Sequence, residues 1–188
     1  MNTEAVLLTG GASTRMGFDK ASILVAGKPL AERIVAQLNA VGVRVTVLGQ
    51  TPVMNADFLA DVGTYEGPLV ALSRFRATSE FVIVASCDLP NFDARVAEIL
   101  VSAIGEADAA IPIVDGKLQP LCALYRSSAF DSIDQVLNDG SRRIMTWIER
   151  LNIVEVPVGR FEARGLGRSV LQGVNTPQEL AAAMSELT

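Results

Sequence analysis

Two short stretches of this chain gather the residue types that handle phosphorylated ligands. The first is Leu8-Thr9-Gly10-Gly11-Ala12-Ser13-Thr14-Arg15-Met16-Gly17-Phe18-Asp19-Lys20. Its glycines let backbone N–H groups approach phosphate oxygens, while Arg15 and Lys20 place positive charge where a triphosphate carries negative charge. The second is Ser86-Cys87-Asp88-Leu89-Pro90, directly after the apolar run Phe81–Ala85. A carboxylate at such a strand end suits a hydrated magnesium ion that bridges phosphates. Taken singly, each has a plain structural explanation: the loop as an ordinary strand-to-helix turn with solvated Arg15 and Lys20, Asp88 as a turn acceptor ahead of Pro90. Together they point to catalysis on a nucleoside triphosphate. An acceptor phosphate would attack the α-phosphorus in line, magnesium on Asp88 would neutralise charge there, and Lys20 with Arg15 would stabilise the departing pyrophosphate. Neither G-x-G-x-x-G nor a terminal Gly-Lys-Ser/Thr is present, which argues against a P-loop kinase or GTPase.

Positioning these residues requires strands that end where the loops begin. Ala5–Leu8 is a short apolar run closed by Gly10-Gly11 and reads as a buried strand. A helix is expected over Pro29–Val41, opened by proline and stopped by Gly42, and a strand over Val43–Leu48. The alternation continues with helix Pro68–Thr78, strand Phe81–Ala85, helix Asp93–Ile104 with Asp93 as N-cap, and strand Ala109–Val114. Leu121–Tyr125 reads as a strand, Ser128–Asn138 and Ser141–Leu151 as helices, and Ile153–Val158 as an edge strand. Gly159–Gly167, with Arg160, Arg164 and Arg168 around two glycines, reads as a mobile loop. Thr176-Pro177-Gln178-Glu179 is a capping box opening a terminal helix through Leu187. The expectation is one α/β domain, residues 1–188, with a mainly parallel sheet covered on both faces. Ligands of such sheets sit beyond the carboxyl ends of the strands, where both motifs fall.

Composition narrows the chemistry. The 188 residues contain no histidine, which removes a Ser-His-Asp triad, an imidazole base and any His-based metal site. A metal must then sit on oxygen ligands. The net charge of −5 argues against broad binding to nucleic acid or anionic membrane. Cys87 and Cys122 offer no disulfide framework and read as small core residues. No apolar run is long enough to span a bilayer and the N-terminus lacks a secretory signal, so a cytoplasmic location is expected.

At these same motifs the chain resembles the molybdenum cofactor guanylyltransferases, a branch of the nucleotidyltransferase superfamily. The resemblance rests on the Leu8–Lys20 loop and Gly27-Lys28-Pro29-Leu30, and continues through Tyr65-Glu66-Gly67-Pro68-Leu69, Cys87-Asp88-Leu89-Pro90 and Gln119-Pro120-Leu121-Cys122-Ala123-Leu124-Tyr125. It ends with Gly140-Ser141-Arg142-Arg143 and Val174-Asn175-Thr176-Pro177-Gln178-Glu179-Leu180, so it spans essentially the whole chain. It implies a Rossmann-like three-layer α/β/α sandwich and transfer of GMP from GTP to molybdopterin with release of pyrophosphate. It further implies nucleotide contacts from Leu8, Thr9, Gly10, Gly11, Lys20 and Asp61, and from Asp88, which also binds Mg2+. Molybdoenzymes or other cofactor-biosynthesis proteins would be the downstream partners.

Two positions depart from the family pattern. Leu48-Gly49 stands where strand two of the family can end in a nucleotide-contacting asparagine, and Gly173 replaces the first asparagine of an Asn-x-Asn-Thr-Pro pattern. A related cytidylyltransferase, another transferase acting on a small phosphate acceptor, and a non-catalytic nucleotide- or molybdopterin-binding module are the competing readings. Arg142, Arg143 and Asn175 are candidates for holding the acceptor, although a charged pair at a helix start is usually solvated. The Arg160–Arg168 cluster could close over the acceptor or simply be exposed, and Trp147 reads as core rather than as a pterin platform.

Overall fold

A computed structural model describes residues 2–10, 23–25, 27–62, 66–174 and 176–185. Strand β1 (Thr3–Leu8) is followed by a small antiparallel pair, β2 (Leu24–Val25) and β3 (Lys28–Pro29), then by helix α1 (Leu30–Ala40) and β4 (Arg44–Gly49). Next come β5 (Asp57–Ala60), α2 (Pro68–Ser73), β6 (Phe81–Ser86), α3 (Arg95–Ile104) and β7 (Ala109–Val114). The later part adds β8 (Lys117–Leu118), β9 (Cys122–Arg126), a 3-10 turn (Ser127–Ser132), α4 (Ile133–Asn138) and α5 (Ile144–Ile148). β10 (Ile153–Pro157), α6 (Gly159–Glu162), a second 3-10 turn (Arg168–Leu171) and α7 (Pro177–Ser185) complete the described residues.

The main sheet runs β10-β7-β9-β6-β1-β4-β5, with β8 added beside β7. β1 pairs in parallel with both β4 and β6, β4 with β5, and β10 with β7. β9 is antiparallel to β6 and β7, so the sheet is mixed at its centre while remaining mostly parallel. Ala5 and Leu7 face the core under α1 and α3, whereas Val6 and Leu8 face the core under α2, α4 and α5. All four are buried, which is why β1 is a continuous apolar run rather than an alternating one. The result is a Rossmann-like three-layer α/β/α arrangement. Among the described residues no helix is long and apolar enough to cross a membrane.

Several sequence expectations change. Helix α2 stops at Ser73 instead of continuing to Thr78, because the chain turns back there and spends the N–H groups of Thr78 and Ser79 on Glu4. The helices expected over Ser128–Asn138 and Ser141–Leu151 shorten to a 3-10 turn with α4 and to α5, with Gly140 at positive φ and Arg143 extended between them. Their packing centres on Trp147, which is fully buried, stacks on Tyr125 at 4.8 Å and donates its ring N–H to Ala129 O. Gly159–Gly167 is not a mobile loop: it forms α6, and Phe161 and Leu166 fasten it to the core beneath α3. The two-residue hairpin strands, β5 and β8 lacked any recognisable run in the sequence. The N-cap of α3 is Ala94 rather than Asp93, which sits one residue earlier with its carboxylate accepting Arg95 N–H at 2.9 Å, and the Thr176/Glu179 capping box forms reciprocally at 3.1 and 3.2 Å.

The amino-terminal end of the sheet is tied together by one carboxylate. Glu4 lies on β1 with 2% of its surface exposed, and accepts from Thr78 N, Ser79 N, the Thr78 hydroxyl and the Arg44 guanidinium. Burial pushes its pKa up, but the hydrogen bonds from Thr78, Ser79 and Arg44 outweigh burial and hold it below the usual carboxylate range. Its contribution to stability is therefore complete above the unfolded value of about 4.3 and fades as pH falls through the lower folded value. Glu4→Gln is expected to lower the unfolding free energy at pH 7 by about 1–3 kcal/mol. Urea unfolding at pH 7 and at acidic pH checks this, since the gap between variant and parent should narrow once the parent carboxyl is protonated.

Candidate functional site

From β1 the chain moves first toward β4 and β5 and then crosses to β6 on the other side. Strand order thus reverses at β1, and the crevice beyond the carboxyl ends of β4, β1 and β6 is where an open α/β sheet places its ligand. Short backbone bonds carry the ladder one step past each strand. Thr9 N donates to Leu48 O and Cys87 N to Leu8 O, both at 2.9 Å, and Asp61 N donates to Gly49 O at 2.7 Å. These bonds set Asp61, Thr9-Gly10 and Cys87-Asp88 along one rim, in that order. At about 4.8 Å per strand step, Asp61 and Asp88 stand three strands apart, roughly 14 Å. Asp61 Oδ2 is buried without a hydrogen-bond partner among the described residues. A buried carboxylate oxygen left in that state is costly unless a ligand supplies the donor.

Asp88 is held from two sides. Ser86, two residues earlier and on the same side of the chain, donates its hydroxyl to Asp88 Oδ1. Val174 N donates to Asp88 O at 2.8 Å, which lays the segment before α7 across the site. Gly173 faces the carboxylate so closely that a Cβ there would lie 2.9–3.0 Å from its Cγ and both oxygens. The glycine at this departure from the family pattern is thus a steric requirement of the Asp88 rotamer. A cleft of about 260 Å3 opens beside it, lined by Ser86, Asp88, Gln119, Ile144 and Gly173 among others. Cys122 also lines this cleft, but burial, with a further push from the Asp88 charge, raises its thiol to about 12, so it is a neutral wall and no nucleophile. A larger cavity of about 500 Å3 beside Arg76, Ser127 and Asp134 lies toward the amino-terminal end of β6, away from these groups.

The structure therefore brings together Leu8, Thr9, Gly10, Asp61 and Asp88. Gly11, Arg15, Lys20 and Asn175 lie outside the described residues. Arg142 sits near the rim, where its guanidinium meets Glu66 at 3.4 Å with both side chains about half exposed. Arg143 is exposed, and Ile144 directly after it lines the Asp88 cleft. Arg160 and Arg164 are exposed, the Arg164 carbonyl accepting from Arg95 at the start of α3, and Arg168 pairs with Asp115. Ser86 was missed by sequence reasoning; its only signal is a hydroxyl two residues before a carboxylate, the same-face spacing on an extended strand.

Comparison with known proteins agrees with this geometry. Residues 5–156 match the family described as the MobA-like NTP transferase domain. The chain belongs to that family. As a MobA-like NTP transferase it is a nucleotidyltransferase, and its relatives extend the likeness beyond the matched residues. A probable molybdenum cofactor guanylyltransferase of Peptoclostridium acidaminophilum is 30% identical over 191 residues, covering 94% of this chain and 86% of its own. One from Nostoc sp. is 29% identical over 198 residues, covering 98% and 92%. Among solved structures, the molybdopterin-guanine dinucleotide biosynthesis protein A of Archaeoglobus fulgidus superposes with a TM-score of 0.80 at 25% identity, covering 98% of each chain. A 2-C-methyl-D-erythritol 4-phosphate cytidylyltransferase of Thermus thermophilus, at 18% identity and TM-score 0.69, shares the fold.

Gly173→Ala tests the packing of the MobA-like site around Asp88. The added methyl must displace either the carboxylate or the exposed segment carrying it, and misplacement of a reacting group by about 1 Å costs up to a hundredfold in rate. Transfer activity is expected to fall on the order of tenfold or more while the unfolding free energy changes by about 1 kcal/mol or less. Parallel turnover and unfolding measurements check the split.

Proposed function

We propose that the chain transfers GMP from GTP to molybdopterin, forming the guanine dinucleotide cofactor and releasing pyrophosphate. The observation carrying this reading is the shared rim of Leu8–Gly10, Asp61 and Asp88 at the strand-order reversal, with a buried Asp61 oxygen that no described residue satisfies. The names of relatives covering nearly all of the chain support the choice of nucleotide and acceptor.

In this scheme the nucleoside end lies toward Thr9 and Asp61 and the phosphates extend toward Asp88. An oxygen of the acceptor's phosphate attacks the α-phosphorus, the new P–O bond forms as the α–β bridging bond breaks, and pyrophosphate leaves with the bonding pair. The nucleophile is already anionic, so it needs positioning more than a base, which accords with a chain lacking histidine. Among the described residues no group of three metal-ligating side chains occurs. A single carboxylate nevertheless fits magnesium, which keeps several waters and takes its other protein-side ligands from substrate phosphates. Asp88 would hold it, with Ser86 fixing the carboxylate rotamer, and bound magnesium would supply charge neutralisation at the phosphates. Arg15 and Lys20, from the loop that follows Gly10, would stabilise the departing pyrophosphate. The cleft beside Gln119 and Ile144 would receive the acceptor, and Arg142, Arg143 and Asn175 are the candidates for binding its phosphate.

Asp88→Asn is expected to keep the fold and lose nearly all transfer, because an amide is a far poorer ligand for a hard dication. Near-normal turnover of the purified variant would defeat the metal assignment. Lys20→Ala should weaken triphosphate binding with little change in melting temperature. For the base, equal concentrations of GTP, CTP and ATP with molybdopterin and magnesium should give predominantly the guanylyl product by mass, with discrimination on the order of 1–3 kcal/mol. A predominantly cytidylyl product would move the assignment to the cytidylyltransferases, and no pyrophosphate with any triphosphate would make the chain a binding module.

A further inference from the structure

Gly49 has no room for a side chain. A Cβ built there would stand 2.0 Å from Thr9 Oγ1 and 3.2 Å from both Thr9 Cβ and Gly10 N. Its backbone is not among the positive-φ glycines, so space rather than conformation demands glycine. What fills the space is the Thr9 hydroxyl, which donates to Leu48 O at 3.2 Å alongside the Thr9 backbone N–H. With its proton given to Leu48 O, the hydroxyl is left as an acceptor. Gly49 is flanked on its other side by Asp61, whose N–H binds the Gly49 carbonyl and whose Oδ2 is buried and unsatisfied among the described residues. Gly49 thus stands between the Thr9 hydroxyl on the β1 side and Asp61 on the β5 side.

We propose that Thr9 and Gly49 are a coupled specificity-determining pair, in which the Thr9 hydroxyl occupies the volume of the missing β4-terminal side chain and accepts an N–H from the nucleotide base. This rests on the nucleotidyltransferase reading of the crevice. Thr9 and Gly49 so arranged offer the base one hydroxyl acceptor, which suits an edge with N–H donors, as guanine has in its ring N–H and exocyclic amine. They also account for a β4 that ends without an asparagine: the polar contact has moved from the end of β4 to the end of β1.

The test uses the full chain with Thr9→Val, Thr9→Ser, Gly49→Asn and the double variant Thr9→Ala with Gly49→Asn. KM and kcat are measured for GTP, inosine triphosphate, CTP and ATP, and melting is followed without ligand. Thr9→Val should raise KM for the preferred triphosphate about tenfold with a smaller change in kcat, and Thr9→Ser should restore it. Gly49→Asn alone should weaken triphosphate binding by collision with Thr9, and removing the Thr9 side chain in that background should recover most of the loss, so the two effects are non-additive. Unchanged KM for every triphosphate in Thr9→Val, or strictly additive losses in the double variant, would overturn the proposal. Should Gly49→Asn not fold, the Val and Ser variants decide it. A wild-type preference for CTP would refute guanine as the base, whereas the Thr9→Val effect on KM for whichever triphosphate is preferred decides the role of Thr9.

Discussion

Strand β1 must be buried on both faces and hydrogen-bonded along both edges, and most of the structure follows from meeting those two demands. Its alternating sides feed two separate cores, so helices are needed on both faces of the sheet. Its edges are closed by β4 and β6, which the chain reaches in turn on opposite sides of β1, and this creates the reversal of strand order. Whatever follows Leu8 then emerges between two other strand ends. A charged residue has little place in such a strand, and Glu4 is accommodated only because four donors converge on it at the end remote from the crevice. The polar anchor and the ligand crevice are thus at opposite ends of one strand.

At the crevice, position is enforced by backbone more than by side chains. Thr9, Asp61 and Cys87 each donate an N–H to the carbonyl of a neighbouring strand end, so their places along the rim vary little with side-chain rotamers. Rigid strands present catalytic and binding groups more accurately than free loops do. The two glycines of the site extend the same logic. Gly49 admits the Thr9 hydroxyl and Gly173 admits the Asp88 carboxylate, each by lacking a Cβ that would collide with it. Both fall where the chain departs from its family's pattern, and in both the departure is matched by a polar group brought closer.

Two of the described neighbours of the Asp88 carboxylate are uncharged groups, the Ser86 hydroxyl and the Cys122 thiol. Ser86 donates to Asp88, and the buried Cys122 thiol beside it is kept protonated by the same burial that excludes water. A carboxylate at that strand end suits a hydrated cation and, through it, a polyphosphate. Family membership and this arrangement converge on nucleotidyl transfer.

Much of this was legible in the sequence, and the remainder divides along a physical line. Ala5–Leu8, Phe81–Ala85 and Ala109–Val114 announced themselves as buried strands because burial on both faces leaves a continuous apolar run, and α1, α3 and the α7 capping box carried local start signals. The loop after Leu8 and the carboxylate of Asp88 were readable because phosphate and metal chemistry demands particular residue types at strand ends. By contrast β5, the early end of α2 and the docking of α6 depend on partners distant in sequence: β4 for β5, Glu4 for the turn after Ser73, the α3 face for Phe161. No local pattern encodes them. The same holds within the site. Residue type alone made Gly49 and Gly173 look like lost contacts; only the tertiary structure reveals the close approach of Thr9 and Asp88, because the space a side chain would need is set by strands paired across the sheet.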